Sequence, residues 1–390
     1  MIQKYNHKIS VVQLWVWLVC AIFTLIIMTP TPAMAEFIPP QDSEQTLTTT
    51  FDFNATAGFQ IDSPIFGAGD SDNPDRWGLN GFVCLSATDT RYGACPYLNI
   101  DKIGVRMGYT PVLVTFKEKR SGISFVTTVY FSLRFKTINS SVGIPLMFSF
   151  NRSKTGVDDQ GNPGYAKYLY MDILNTANMF PFGGVWEGTL KIQERDSNNQ
   201  PLALHTVHVE VNAIDSNHID IYFPEFGTAA PLVPLNIHPT GGASPTPGSQ
   251  DVTNLDMCLY DGFNVNSSKY EVLLEDGNHH TPAGRPMGLF SVYRDGGDEN
   301  QPRDRIDYQV RMNNPETDAM MDVRNGELIT WNAVNTHRVR PVRLPSISYP
   351  VLCAPTPLEF RVNKFATADK NAGQYHGTLR VTFTPTTTTL

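Results

Sequence analysis

The residues most capable of chemistry in this sequence are its cysteines and a few clusters of acids and histidines. Cys84, Cys95, Cys258 and Cys353 contain no C-x-x-C, which argues against a redox dithiol or a zinc ribbon. There is no G-x-S-x-G nucleophile elbow and no H-E-x-x-H helix motif. His279 and His280, the only adjacent histidines, follow a polar Asp276-Gly277-Asn278 turn and lack a third ligand at a useful spacing. Asp70, Asp72 and Asp75 have the look of a calcium loop, but Pro74 stands where a ligand is needed, so a plain polar turn is expected. Asp158 and Asp159, before Gln160-Gly161, read as turn formers rather than as an acid–base pair. We therefore expect no enzyme, no metal and no cofactor.

The compartment explains the cysteines. Lys4 and Lys8 precede an almost unbroken apolar run from Val11 to Met28; Pro30 and Pro32 end it, and Ala33-Met34-Ala35 gives a small-x-small cleavage pattern. Residues 1–35 thus read as a signal peptide, which takes Cys20 with it. Four cysteines in an oxidising compartment imply two disulfides, with three possible connectivities; the spacing favours Cys84–Cys95 and Cys258–Cys353. Losing the two leader lysines takes the formal charge from −8 to −10, which argues against nucleic acid as a partner.

The elements that carry these residues are strands. Val112, Val114 and Phe116 alternate with polar neighbours, as do Val129, Phe131, Leu133 and Phe135, then Val207, Val209 and Val211. The second half repeats the pattern at Ile306, Tyr308, Val310 and Met312 and at Leu358, Phe360 and Val362. With 29 Gly and 28 Pro punctuating short strands, an all-β fold of two antiparallel sandwiches is expected. The boundary is placed at Gly227–Ala230, giving domains 36–229 and 230–390. Near the end of the chain, Tyr375, Gly377, Leu379, Val381 and Phe383 alternate with polar residues. This is the cleanest half-buried strand in the sequence.

Seven stretches together resemble one family. They are CLSATDTRYGACP (84–96), FKEKRS (116–121), PFGGVWEGTLKI (181–192), PLNIHPTGG (234–242), LDMCLYDGFNVNSS (255–268), ISYPVLCAP (347–355) and AGQYHGTLRVTFTP (372–385). In this order they resemble the tip adhesins of class 5 fimbriae, the CFA/I-type (CfaE/CblD) family of the alternate chaperone–usher pathway.

The resemblance implies an immunoglobulin-like adhesin domain followed by an immunoglobulin-like pilin domain that lacks a strand. Donor-strand complementation, a standard case of β-strand addition, would fill that gap. The strand comes first from a periplasmic chaperone, then from the major fimbrial subunit, at an outer-membrane usher. The implied function is adhesion to a host-cell glycan or glycoprotein and initiation of assembly, at the tip of a fimbria on the bacterial surface. An assembly initiator without receptor binding is the alternative.

Family adhesins carry consecutive basic residues just after the GGVW strand. Here that region reads Gln193-Glu194-Arg195-Asp196, so Arg195 alone is carried over as a receptor contact, beside two acids that could pair with it. Arg91, between the first two cysteines, is the second candidate. Lys119 and Arg120 match the family stretch and also suit solubilising strand ends; Phe182 and Trp186 are assigned to the core. Tyr375, Leu379, Val381 and Phe383 are expected to form the assembly strand beside the groove.

Overall fold

The computed structural model describes residues 37–54, 59–78, 80–95, 109–136, 141–143, 166–173, 179–196, 198–235, 237–240, 248–277 and 281–386. The expected signal peptide, the Asp158–Asp159 turn and His279–His280 lie outside the described residues. Among the described residues there is no α-helix, only strands and short 3-10 turns.

In the first domain one long sheet runs in the order Ser43–Asp52, Pro201–Ile214, Gly184–Arg195, Thr110–Glu118, Ser124–Lys136, Ala166–Ile173 and Phe59–Gly67. Strand Gly81–Cys84 pairs with the far end of Gly184–Arg195. The period-2 pattern does what it predicts: Val112, Val114, Phe116, Val129, Leu190 and Val211 are fully buried. Leu47 and Phe51, from one end of the path, share a core with Ile61 and Ile65 from the other, so the sheet rolls over on itself. Trp186 and Phe182 are core residues, with Trp186 stacked on Phe180 at 4.8 Å.

The second domain packs a seven-stranded sheet against a three-stranded one. The larger contains Gly248–Leu255, Leu358–Ala366, Arg305–Asn314 and Phe290–Arg294. The smaller is Leu328–Asn332, Lys269–Asp276 and Leu379–Thr386. Between them lie Tyr270, Val272, Leu274, Phe290, Val310 and Met312, all fully buried. Both favoured disulfides, Cys84–Cys95 and Cys258–Cys353, are formed.

A third, four-stranded sheet joins the two cores. Its strands are Ile219–Tyr222, Cys258–Asp261, Val351–Pro355 and Arg340–Val342. Alternate residues face opposite ways: Cys258, Tyr260, Val351 and Cys353 enter the first core, while Leu259, Leu352 and Ala354 enter the second. Ile219–Tyr222 is therefore already paired within this sheet, upstream of the boundary expected at 229/230. The physical reason is that Ile221 has the second core to bury against, whereas the small residues 227–230 have little to bury.

Candidate functional site

Arg195 ends strand Gly184–Arg195, at a register irregularity opposite Pro201. It is half-buried, and its Nη1 donates to the Asn199 carbonyl at 2.9 Å across its own hairpin. Glu194 turns the other way and is fully buried. Its Oε1 accepts from the Ala68 N–H at 2.9 Å and the Asn80 amide at 2.8 Å, and Oε2 lies 3.5 Å from His205 Nε2. Asp196 caps the turn, accepting from the N–H groups of Asn198 and Gln200. The two acids beside Arg195 are thus structural.

Deeper in the same end of the domain, Lys167 is fully buried, and its ammonium donates to the carbonyls of Trp77, Gly78 and Asn80. Burial pushes its pKa down to about 7, against the pull of Glu194. No sequence signal marks Lys167, because a lone lysine between Ala166 and Tyr168 reads as an ordinary outward strand residue. Asp70 behaves as a turn residue, accepting from the N–H groups of Asp72 and Asn73 and pairing with Arg76 at 3.1 Å.

Arg91 sits on the 3-10 turn Thr90–Tyr92 inside the Cys84–Cys95 loop. Its side chain is 76 % exposed and forks onto Asp89, with Nη2 to Oδ2 at 2.6 Å, which pulls the Asp89 carboxyl down to about 2. Arg91 and Arg195 belong to separate features, one on the loop and one on a hairpin end. Lys119 pairs with Glu187 at 2.8 Å and Glu210 at 3.3 Å. Arg120 is no solubiliser: it crosses to the second domain and donates to the carbonyls of Val265, Asn335 and His337.

The second domain carries an open cavity of about 740 Å³. It is lined by the terminal strand, through Leu379, Val381 and Phe383, and by Ile219, Ile221, Leu232, Val233 and Leu235. Tyr308, Leu358 and Phe360 line it as well. The terminal strand pairs over eight residues with Lys269–Asp276, and Leu379, Val381 and Phe383 are only half-buried. Val272 and Leu274, directly opposite Phe383 and Val381, are fully buried, as is Tyr270 opposite Pro385. That asymmetry describes a sandwich with space for one more strand.

Tyr375 departs from the expectation of one continuous strand. Tyr375–His376 pairs with Tyr293 and Arg294 in the larger sheet, and the Tyr375 hydroxyl donates to the Asn371 carbonyl at 2.7 Å. The chain then crosses at Gly377, where a Cβ would lie 2.9 Å from the Ser291 carbonyl oxygen, and resumes at Leu379 in the smaller sheet. Alternation alone cannot reveal a strand that changes sheets without losing phase. The wall formed by residues 232–235 was visible in the sequence only as alternating Val233 and Leu235.

Comparison with known proteins matches both halves. The family model for the first domain of CfaE, a subunit of CFA/I fimbriae, covers residues 32–216, and that for its second domain covers 219–387. The chain belongs to the CfaE family of CFA/I fimbrial subunits. A CFA/I fimbrial relative of that kind from Escherichia coli is 31 % identical over 314 residues, 79 % of this chain and 81 % of the relative. The crystal structure of CfaE, the adhesive subunit of the CFA/I fimbria of enterotoxigenic Escherichia coli, superposes with a TM-score of 0.70 at 26 % identity. It covers 90 % of this chain and 94 % of that one. A CFA/I chaperone–tip adhesin complex contains a chain of the same fold, with a TM-score of 0.63 at 24 % identity, covering 91 % and 99 %. As a CfaE-type protein, this chain is a fimbrial tip adhesin, an extracellular and non-enzymatic subunit with two β domains.

Proposed function

We propose that this CfaE-type subunit binds a host-cell glycoconjugate through its first domain and initiates fimbrial assembly through the groove of its second. The observation that carries the assembly half is the open groove beside Leu379, Val381 and Phe383. An extended segment laid there would bury the half-exposed apolar face and satisfy a strand edge that is otherwise an aggregation hazard. In this reading the first donor is a periplasmic chaperone, the second is the N-terminal segment of the major subunit, and the exchange occurs at the outer-membrane usher. A relative of the same fold forms a chaperone complex, which supports the first step.

The fold also supports a terminal position in the fibre. Strand Ser43–Asp52 is paired along its whole length, in parallel, with Pro201–Ile214, so it is not free to complete a neighbour. The stretch ahead of the second domain is likewise tied up in the joining sheet. In this reading the chain accepts a strand, while both of these described segments are already paired and not free to be lent.

The test is to purify the full-length protein alone, co-expressed with its chaperone, and with a peptide copying the major subunit's N-terminus. Protease resistance and melting temperature should rise with either added strand. A stable, protease-resistant monomer that neither addition changes would rule out the groove as a donor-strand site. The alternative, an initiator without receptor binding, is favoured by one observation: Arg195 and Arg91 are both engaged, on Asn199 and Asp89. Saturable binding of the completed protein to host cells would dismiss that alternative.

A further inference from the structure

The outer face of the first-domain sheet carries an exposed array that the core does not explain. On strand Thr110–Glu118, Leu113 and Thr115 point outward; directly opposite, on Ser124–Lys136, are Thr128 and Val126. Leu113 and Val126 are each 45 % exposed. The 3-10 turn Thr90–Tyr92 lies against this row, with Thr90 Oγ1 2.7 Å from Thr115 Oγ1. Tyr92 is 43 % exposed, and its ring centroid is 4.5 Å from Lys191 Nζ.

The turn is held rigidly. The Cys84–Cys95 disulfide closes its loop, Ala94 exchanges two backbone hydrogen bonds of 2.8 Å with Leu113, and Gly93 has φ +90°. A Cβ on Gly93 would meet Leu190 at 2.8 Å, so only glycine lets the turn settle this close to the sheet.

We propose that Tyr92, Lys191 and the Leu113–Val126 row form a binding shelf for an oligosaccharide that carries an anionic group. This rests on the adhesive reading above and specifies where and what the domain binds. The chemistry is that of sugar recognition: a rigid, half-exposed aromatic ring for the apolar face of a pyranose, threonine hydroxyls for its own hydroxyls, and the Lys191 ammonium for a carboxylate or sulfate. Among the described residues no carboxylate pairs with Lys191, whose ammonium rests only on the Tyr92 ring. A cation without a carboxylate partner is complementary to an anion.

The test uses the full-length protein co-purified with its chaperone. Its binding is measured to immobilised sialylated lactosamine, the sulfated analogue, the neutral parent and host cells. Binding to one anionic form should exceed binding to the neutral parent by about tenfold or more. Tyr92→Ala and Lys191→Gln should each weaken it by about tenfold, and Val126→Glu, at an exposed position, should abolish it. Met287→Ala, exposed in the second domain, should change nothing. Melting temperatures would confirm that the variants fold. Equal binding to neutral and anionic forms overturns the anionic assignment. Cell or glycan binding that survives all three first-domain changes places the site elsewhere and leaves the adhesive reading standing. No binding by the unaltered protein to any surface overturns both.

Discussion

The carboxylate of Glu118 in the first domain accepts a hydrogen bond from the side-chain amide of Asn264 in the second, at 2.8 Å, and both residues are fully buried. The carbonyl end of the same amide accepts the Leu352 N–H at 2.7 Å. Glu118 also accepts from the Arg120 and Ser121 N–H groups, so one carboxylate organises the turn that touches the second domain. Asn264→Ala should cost about 1–3 kcal/mol, because it strands the buried Leu352 N–H and takes one of four donors from Oε2 of the buried Glu118 carboxylate. Denaturant unfolding of the chaperone-bound protein measures this; a loss below about 0.5 kcal/mol would mean that the seam reorganises freely.

Close backbone approach tightens the same seam. A Cβ at Gly183 would lie 1.8 Å from the Gly262 carbonyl oxygen, with no flexible side chain to yield. Gly183→Ala should therefore separate the domains rather than deform either core. Thermal unfolding should resolve into two transitions where the parent shows one. A single, unshifted transition would contradict the contact.

Lys167 predicts a pH dependence of defined sign. Its folded pKa of about 7 lies below the ordinary 10.5, so between those values the unfolded chain holds the extra proton. Stability contributed through this group therefore rises with pH across that window. Between pH 7 and 9 the parent should gain about 2 kcal/mol relative to Lys167→Met, measured by urea unfolding at each pH. Parallel profiles for the two proteins would show that Lys167 keeps its proton.

The two disulfides should differ in weight. Cys258–Cys353 closes 95 residues and Cys84–Cys95 closes 11, which the chain-entropy model converts to about 4.5 and about 3 kcal/mol. Cys258 and Cys353 also fill the joining sheet's face toward the first core, so losing that bridge should loosen both domains. Paired Cys→Ser variants, compared by melting temperature, test the order; the reverse ranking would refute it.

Phe383 packs edge-on against Tyr270, with ring centroids 4.9 Å apart, while lining the groove. Phe383→Ala should reduce the stabilisation gained from an added donor strand by about 2 kcal/mol. The gain in melting temperature with and without the strand reads this directly. An unchanged gain would mean that the strand seats away from Phe383.

Much of this protein was legible in one dimension. A period of two states which residues face inward, so the cores at Val112–Phe116 and Ile306–Met312 follow from alternation alone. The expected loss of a signal peptide leaves four cysteines, and their spacing favours the observed pairing. Seven ordered stretches pointed to the family.

Alternation does not state what a face is buried against, and there the tertiary structure decided. Cys258–Asp261 looks like one short strand, yet its two faces serve two cores. Tyr375 keeps phase with Leu379 but belongs to a different sheet. Arg120 and Lys167 carry charges that a sequence reader places in water, whereas folding supplies distant carbonyls that receive them. Local pattern depends on bonds along the chain, which the sequence determines. Partners across the chain depend on which surfaces meet, and only the packed molecule brings those together.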